Sequence, residues 1–162
     1  MMRFAILALS ALALSACGMS PMYAGGGSGE VARGLSDVSV APIPGKAGWL
    51  VRNELQDRLR TTEDGSARYR LDIRLDDSLE GLAVLADDTV SRERRTLRAR
   101  YQLVDAGTGE ILLDATEGSD AGIDVVSSEY ATIAAENTAL ENLSREIADR
   151  IVTRVALTLR DR

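Results

Sequence analysis

The chain has 162 residues, 19 basic against 25 acidic, with a formal net charge of −6, one cysteine and no histidine. That length supports one domain with a real core, and the acid excess is the opposite of the basic footprint carried by nucleic-acid binders. Without histidine there is no Ser-His-Asp triad, Cys-His pair or His-ligated zinc, and a lone cysteine closes no intrachain disulfide. No motif calls for a cofactor. Eighteen of the 19 basic residues are arginine, Lys46 being the one lysine.

In chain order, residues 1–16 read as a signal peptide. Arg3 supplies the positive start, and Phe4 to Leu14 (FAILALSALAL) is an apolar stretch of eleven residues, too short to span a bilayer. Small residues lead from there into the single cysteine, Cys17. The run Leu14-Ser15-Ala16-Cys17 resembles the lipobox of bacterial lipoproteins. That resemblance implies lipidation at Cys17, with a diacylglycerol on its sulfur and an acyl group on its amine. Gly18, where aspartate would signal retention, implies export to the outer membrane. Each buried acyl methylene contributes about 0.8 kcal/mol and stable anchoring takes more than one chain, a condition a triacylated cysteine meets. Loss of residues 1–16 leaves 146 of the 162 residues and, with Arg3 gone, takes the net charge from −6 to −7. No second apolar run of spanning length follows.

Residues 24–34 (AGGGSGEVARG) are glycine-rich and read as a flexible spacer. The expected organisation is therefore a signal peptide over 1–16, an acylated N-terminus and spacer over 17–34, and one domain over 35–162. Asp37 to Ile43 alternates around Val38 and Val40 and reads as a short strand stopped by Pro42 and Pro44. Gly45 to Gly48 reads as a turn. From Trp49 to Arg60, Val51, Leu55 and Leu59 recur at i, i+4 and i+8, which predicts an amphipathic helix. Thr61 to Ser66 ends it. Tyr69 to Asp77 alternates with Tyr69, Leu71, Ile73 and Leu75 on one face, and Arg92 to Val104 repeats the pattern with Leu97, Ala99, Tyr101 and Leu103. Asp105 to Gly109 turns the chain into a third alternating run, Glu110 to Thr116, giving a β-hairpin. An EF-hand loop starting at Asp105 would need glutamate at its twelfth position, where Thr116 stands, so calcium is not indicated. A long helix is predicted from about Ser128 to Arg160, capped by Ser127 or Ser128, with Leu140, Leu143, Ile147, Ile151 and Val155 as its apolar stripe.

Strand, helix, three strands, helix predicts an α+β, two-layer fold: a four-stranded mixed sheet with two helices packed on one face. The first strand joins by a right-handed crossover and the rest is antiparallel. The other sheet face is left uncovered. On the second strand it carries Arg68, Arg70, Asp72, Arg74 and Asp76, and on the third Arg92, Arg94, Thr96, Arg98 and Arg100. One reading is a solvated face of cross-strand ion pairs. The other is an anion- or partner-binding surface, since arginine forks match phosphate and carboxylate. Seven arginines against two aspartates, an excess of five positive charges, favours the second. Carboxylate pairs for hydrolysis are weak candidates: Asp76 and Asp77 are adjacent on a strand and point to opposite faces, and Asp87–Asp88 reads as a loop.

"CGMSPMY" after the lipobox, "VAPIPGKAGWLVRNELQDRLR", "RRTLRARYQLVDAGTGEILLD" and "ENLSREIADRIVTRVAL" resemble, in order, the opening, first strand with first helix, central hairpin and last helix of the LptE family of lipopolysaccharide (LPS) assembly lipoproteins. Met19 stands where that family commonly has an aromatic. The resemblance implies a non-enzymatic outer-membrane lipoprotein that plugs a large LptD-type β-barrel and assists LPS insertion. It also implies LPS contact by basic residues on the loop before the third strand, which Arg92, Arg94 and Arg95 match; with Arg98, Arg100, Arg70 and Arg74 of the open face they are the candidate LPS- or partner-binding residues. The family's second basic position, near the start of the last helix, here reads EYATIAAEN, with no basic residue. A rival assignment is the outer-membrane accessory lipoprotein of an ABC-type lipid transport system.

Overall fold

The computed structural model of the chain describes residues 30–60, 67–84 and 90–160. The expected signal peptide, Cys17, most of the spacer, the turn at Thr61 to Ser66 and Asp87–Asp88 lie outside those residues. The elements are α1 (Glu30–Ser36), β1 (Val38–Val40), α2 (Gly45–Leu59), β2 (Tyr69–Val84), β3 (Val90–Asp105), β4 (Ile111–Asp124) and α3 (Glu129–Arg160). The sheet order is β1-β2-β3-β4, with β1 parallel to β2 and the other pairs antiparallel. This is the expected two-layer α+β fold: α2 and α3 pack side by side on one sheet face.

The apolar stripes of α2, β3 and α3 are buried there. In the third alternating run Leu113 and Ala115 are only partly buried, and Ile111, expected inward, is 53 % exposed because the register shifts between Leu103 and Val104. Val51, Leu55 and Leu59 of α2 meet Leu71 of β2, Leu97 and Leu103 of β3, and Ile147, Ile151 and Val155 of α3, all at most 1 % exposed. Burying each such side chain contributes about 1.5–3 kcal/mol, so this one layer carries the fold. Ser128 caps α3, its Oγ accepting from the Ala131 amide at 3.4 Å.

Four boundaries differ from expectation. The stretch expected as spacer holds α1 at its end: Glu30 to Arg33 contain no glycine, and Leu35 is buried in the core while Gly34 lies beside Leu159 of α3. Next, α2 begins at Gly45, four residues early. Gly48 lies in its first turn, where a Cβ would sit 2.5 Å from the Ile43 carbonyl oxygen; only glycine lets the helix seat so closely on the preceding loop. The β2–β3 hairpin runs on past Asp77, with Ser78↔Thr96, Leu79↔Arg95 and Glu80↔Arg94 as Cα partners. Finally, β4 continues from Thr116 to Asp124 against Ala99 to Arg92.

These extensions give the molecule two unequal halves. Sixteen-residue strands reach about 50 Å, and the 32 residues of α3 match them at about 48 Å. The 15 residues of α2 cover less than half that length. Lys46 Nζ donates to Asn137 at 2.5 Å and Arg58 pairs with Asp149, so α2 runs beside residues 137–149 of α3 and no further. Beyond it, Leu79, Tyr130 and Ile133 stay exposed.

Candidate functional site

Side-chain alternation on long, flatly paired strands builds the uncovered face from three strands. From β2 come Arg70, Asp72, Arg74, Asp76, Ser78 and Glu80; from β3 come Arg92, Arg94, Thr96, Arg98, Arg100 and Gln102. The third contributor is β4, with Asp114, Thr116, Gly118, Asp120, Gly122 and Asp124 opposite β3. All are exposed or half-buried.

The register overturns the expected charge excess. Arg68 turns off the sheet end, its guanidinium 5.1 Å from the Tyr69 ring centroid and 3.8 Å from Asp105. Six arginines then share the face with six carboxylates, Asp72, Asp76, Glu80, Asp114, Asp120 and Asp124. Three of the latter, Glu80, Asp120 and Asp124, lie beyond the expected strand ends at Asp77 and Thr116. Arg92 pairs with Asp124 directly across the ladder at 3.1 Å, Arg94 with Asp120 at 3.7 Å, Arg100 with Asp114 at 3.2 Å, and Arg70 with Asp72 on its own strand at 3.0 Å. Gln102 also donates to Asp114, at 2.8 Å. These hydrogen bonds from Gln102 and Arg100 hold the Asp114 carboxyl below its ordinary value. Arg74 and Arg98 make no ion pair or hydrogen bond among the described residues. The Arg98 side chain instead lies across Gly118, where a Cβ would meet its Cγ at 3.3 Å.

Arg95, expected to bind beside Arg92 and Arg94, does not join them: its odd position on β3 turns it under α3. There it donates to both oxygens of Asp77, at 2.8 and 2.6 Å, and to the Glu136 carbonyl at 3.2 Å. The Asp77 hydrogen bonds hold its guanidinium pKa above the usual value. Arg95 ties two strands to the helix and does not belong to the open face. It also brings the missing basic contact to the EYATIAAEN segment. Asp76 faces the open side and Asp77 the helix side, so the two acids are separated by the sheet. Asp105 spends its Oδ1 on the amides of Gly107 and Thr108, at 2.9 and 3.1 Å, which lowers its pKa and closes the turn without calcium.

Two shallow hollows interrupt the open face. One, of about 490 Å³, is bordered by Asp72, Arg74, Arg100, Gln102, Ala41 and Pro42; the other, of about 390 Å³, by Thr96, Arg98, Thr116, Gly118 and Asp120. Among the described residues no helix is long and apolar enough to cross a membrane.

Fold and face together define a two-layer α+β domain that presents a charged, uncovered sheet. The sequence profile of LptE, described as lipopolysaccharide-assembly, matches residues 35–155, and the chain belongs to that family. Among solved structures it is similar to a chain from Caulobacter crescentus described as a lipoprotein, with 25% identity, 82% of this chain and 97% of that one covered, and a TM-score of 0.70. It is also similar in fold to a minor lipoprotein from Acinetobacter baumannii (13% identity, 75% and 92% covered, TM-score 0.59). The rare lipoprotein B of Shewanella oneidensis is a third (15% identity, 76% and 95% covered, TM-score 0.55). No protein with a curated description matches the sequence.

Proposed function

We propose that this chain is a non-enzymatic outer-membrane lipoprotein, anchored through acylated Cys17, that seats in the lumen of a large LptD-type β-barrel and assists LPS insertion at the cell surface. Membership of the lipopolysaccharide-assembly family supports the process. The lipobox at Leu14 to Cys17 supports the anchor, and the name lipoprotein borne by the Caulobacter relative agrees with it. The observation that carries the reading is the open face itself. It is broad and charge-balanced, so it suits the polar interior of a barrel. Exposed ion pairs contribute about 0–1 kcal/mol each, so Arg92, Arg94, Arg98, Arg100, Arg70 and Arg74 can exchange their own carboxylates for a partner's, or for LPS phosphates, at small cost.

The test is a detergent pull-down of the tagged full-length chain from native outer membranes, followed by mass spectrometry. One large β-barrel in stoichiometric amount, with LPS carried along, is expected. Recovery alone or with inner-membrane pump subunits would overturn the reading in favour of a lipid-transport accessory. Cys17→Ser is expected to release the chain from the membrane while leaving the domain folded; retention of that variant would remove the anchor. Reversal of Arg98 and Arg100 to Glu is expected to weaken capture of the barrel or LPS; unchanged capture would reduce the face to a solvated surface.

A further inference from the structure

The short length of α2 leaves a gap on the covered side of the sheet. Lys46 Nζ reaches Asn137, so α2 begins level with that residue while α3 runs on alone to Glu129. The eight residues from Glu129 to Glu136 are two turns, about 12 Å. Ile133 and Tyr130 precede Asn137 by four and seven residues and stand on the same flank of α3, the one that meets α2 lower down. Arg95 sets their level on the sheet: it donates to the Glu136 carbonyl and has Leu79 of β2 as its Cα partner. Leu79, Ile133 and Tyr130 are 42, 47 and 84 % exposed, whereas Leu140 and Leu143, beside α2, are at most 2 % exposed. The seat of α2 thus continues as an open groove, with β2 in its floor and α3 as one wall.

The charges around this groove do not balance. Among the described residues its cations are Lys46 and Arg95, and Arg95 is spent on both oxygens of Asp77. Against them stand four acids: Asp77, Glu129, Glu136 and Glu93. Glu93 lies two residues from Arg95 on the same face of β3, opposite Gly81 of β2 and the buried, apolar Ile123 of β4. Its chain neighbours Arg92 and Arg94 point to the open face and pair with Asp124 and Asp120. The Glu93 Oε2 is shut off from solvent and accepts no hydrogen bond among the described residues. Buried polar atoms are nearly always paired, and an acid left without a donor bears its full desolvation cost. An unmatched carboxylate beside unmatched apolar side chains calls for one occupant that answers both.

We propose that the groove takes a two-turn amphipathic helix of another protein. Its apolar side chains cover Leu79, Ile133 and Tyr130, and one arginine or lysine reaches Glu93. The space prolongs the seat of α2 beside α3, so a helix is the shape that fits it, and an apolar strip with a charged rim is how such segments dock. The described chain ends lie elsewhere. Gly34 sits beside Leu159, which puts Glu30 and Arg160 at the far end of α3, about 40 Å from Ile133. A phosphorylated lipid would cover the apolar side chains but bring more negative charge to an acidic groove. This occupant is independent of the barrel reading above.

The test places a photoreactive amino acid at Tyr130 or Ile133 of the full chain, crosslinks in native membranes and maps the joined peptide by mass spectrometry. The expected product links both positions to one segment with apolar residues at i, i+3 or i+4 and an arginine or lysine among them. Glu93→Gln should lower its yield at least about tenfold, as loss of a charge-assisted hydrogen bond implies. Glu141→Gln removes an equal charge from the solvent side of α3 and should change the yield less than about twofold. In detergent, the purified Glu93→Gln chain should melt no lower than the parent, because it loses an unpaired acid. A lower Tm would show that the acid already has a partner within the fold and would overturn the site. So would an undiminished yield in Glu93→Gln, a segment without a cation, crosslinks only to LPS or to a second copy of this chain, or no crosslink. A segment of the large β-barrel supports the groove and the reading above together; a segment of a different envelope protein supports the groove and detaches it from the barrel.

Discussion

Along β3, Leu97, Ala99, Tyr101 and Leu103 alternate with Thr96, Arg98, Arg100 and Gln102, so one strand serves two faces of different physical character. The first set is at most 1 % exposed beneath α2 and α3. The second meets solvent in a ladder of arginines and aspartates. On the covered face stability comes from apolar burial, which no salt screens and no partner can replace. On the open face each pair is weak, screened and exchangeable. A domain that keeps its folding energy on one side of a sheet leaves the other side free to exchange partners without unfolding.

The largest expected break in that contrast is in the core. Ile151→Ala, at a side chain that is fully buried, should cost about 2–5 kcal/mol by chemical denaturation, with no dependence on salt. Tyr101 sharpens the same point with pH. Its hydroxyl is buried without a hydrogen-bond partner of ordinary geometry, and burial, helped by the charge of Glu117, pushes its pKa up to about 12. A pKa raised above the unfolded value of about 10 makes a contribution that is intact below pH 10 and lost as pH rises from 10 through 12. That loss is roughly 3 kcal/mol, and Tyr101→Phe should not show it. Asp77→Asn tests the β2–β3 ion pair on the helix side, where the Arg95 side chain is only 15% exposed. Stripping that arginine of its carboxylate should cost about 1.5–3 kcal/mol. The smallest effect belongs to the open face: Arg92→Gln or Asp124→Asn should lower stability by less than about 1 kcal/mol, and 1 M salt should remove the difference. A cost on the open face equal to that on the covered one would break the contrast.

Local periodicity made the covered face legible. Tyr69 to Leu75, Val51 to Leu59 and the stripe of α3 each declare their inward side by spacing alone, and they fix the layers. The open face was half legible, because Arg70, Arg74, Arg98 and Arg100 follow once the strands are placed. Its charge was misread for a non-local reason. Gly118, Asp120, Gly122 and Asp124 are poor strand formers and extend β4 only because β3 pairs with them. The carboxylates that neutralise Arg92 and Arg94 therefore came from a segment that does not read as a strand. Arg95 was misplaced because it was matched as part of a basic run, not counted by its position on β3. The helix α1 was hidden since Leu35 finds its burial in tertiary contact, beside a glycine-rich stretch that reads as spacer.

Photo-crosslinking in native outer membranes reads directly which side of the molecule meets its partner. A photoreactive amino acid is placed singly at Arg92 or Arg98 on the open face, and at Glu141 or Arg145 on the solvent side of α3. The expected result is a crosslink from the open-face positions to one large β-barrel protein. Crosslinks from Glu141 and Arg145 with none from Arg92 and Arg98 would contradict the account and make α3 the working surface.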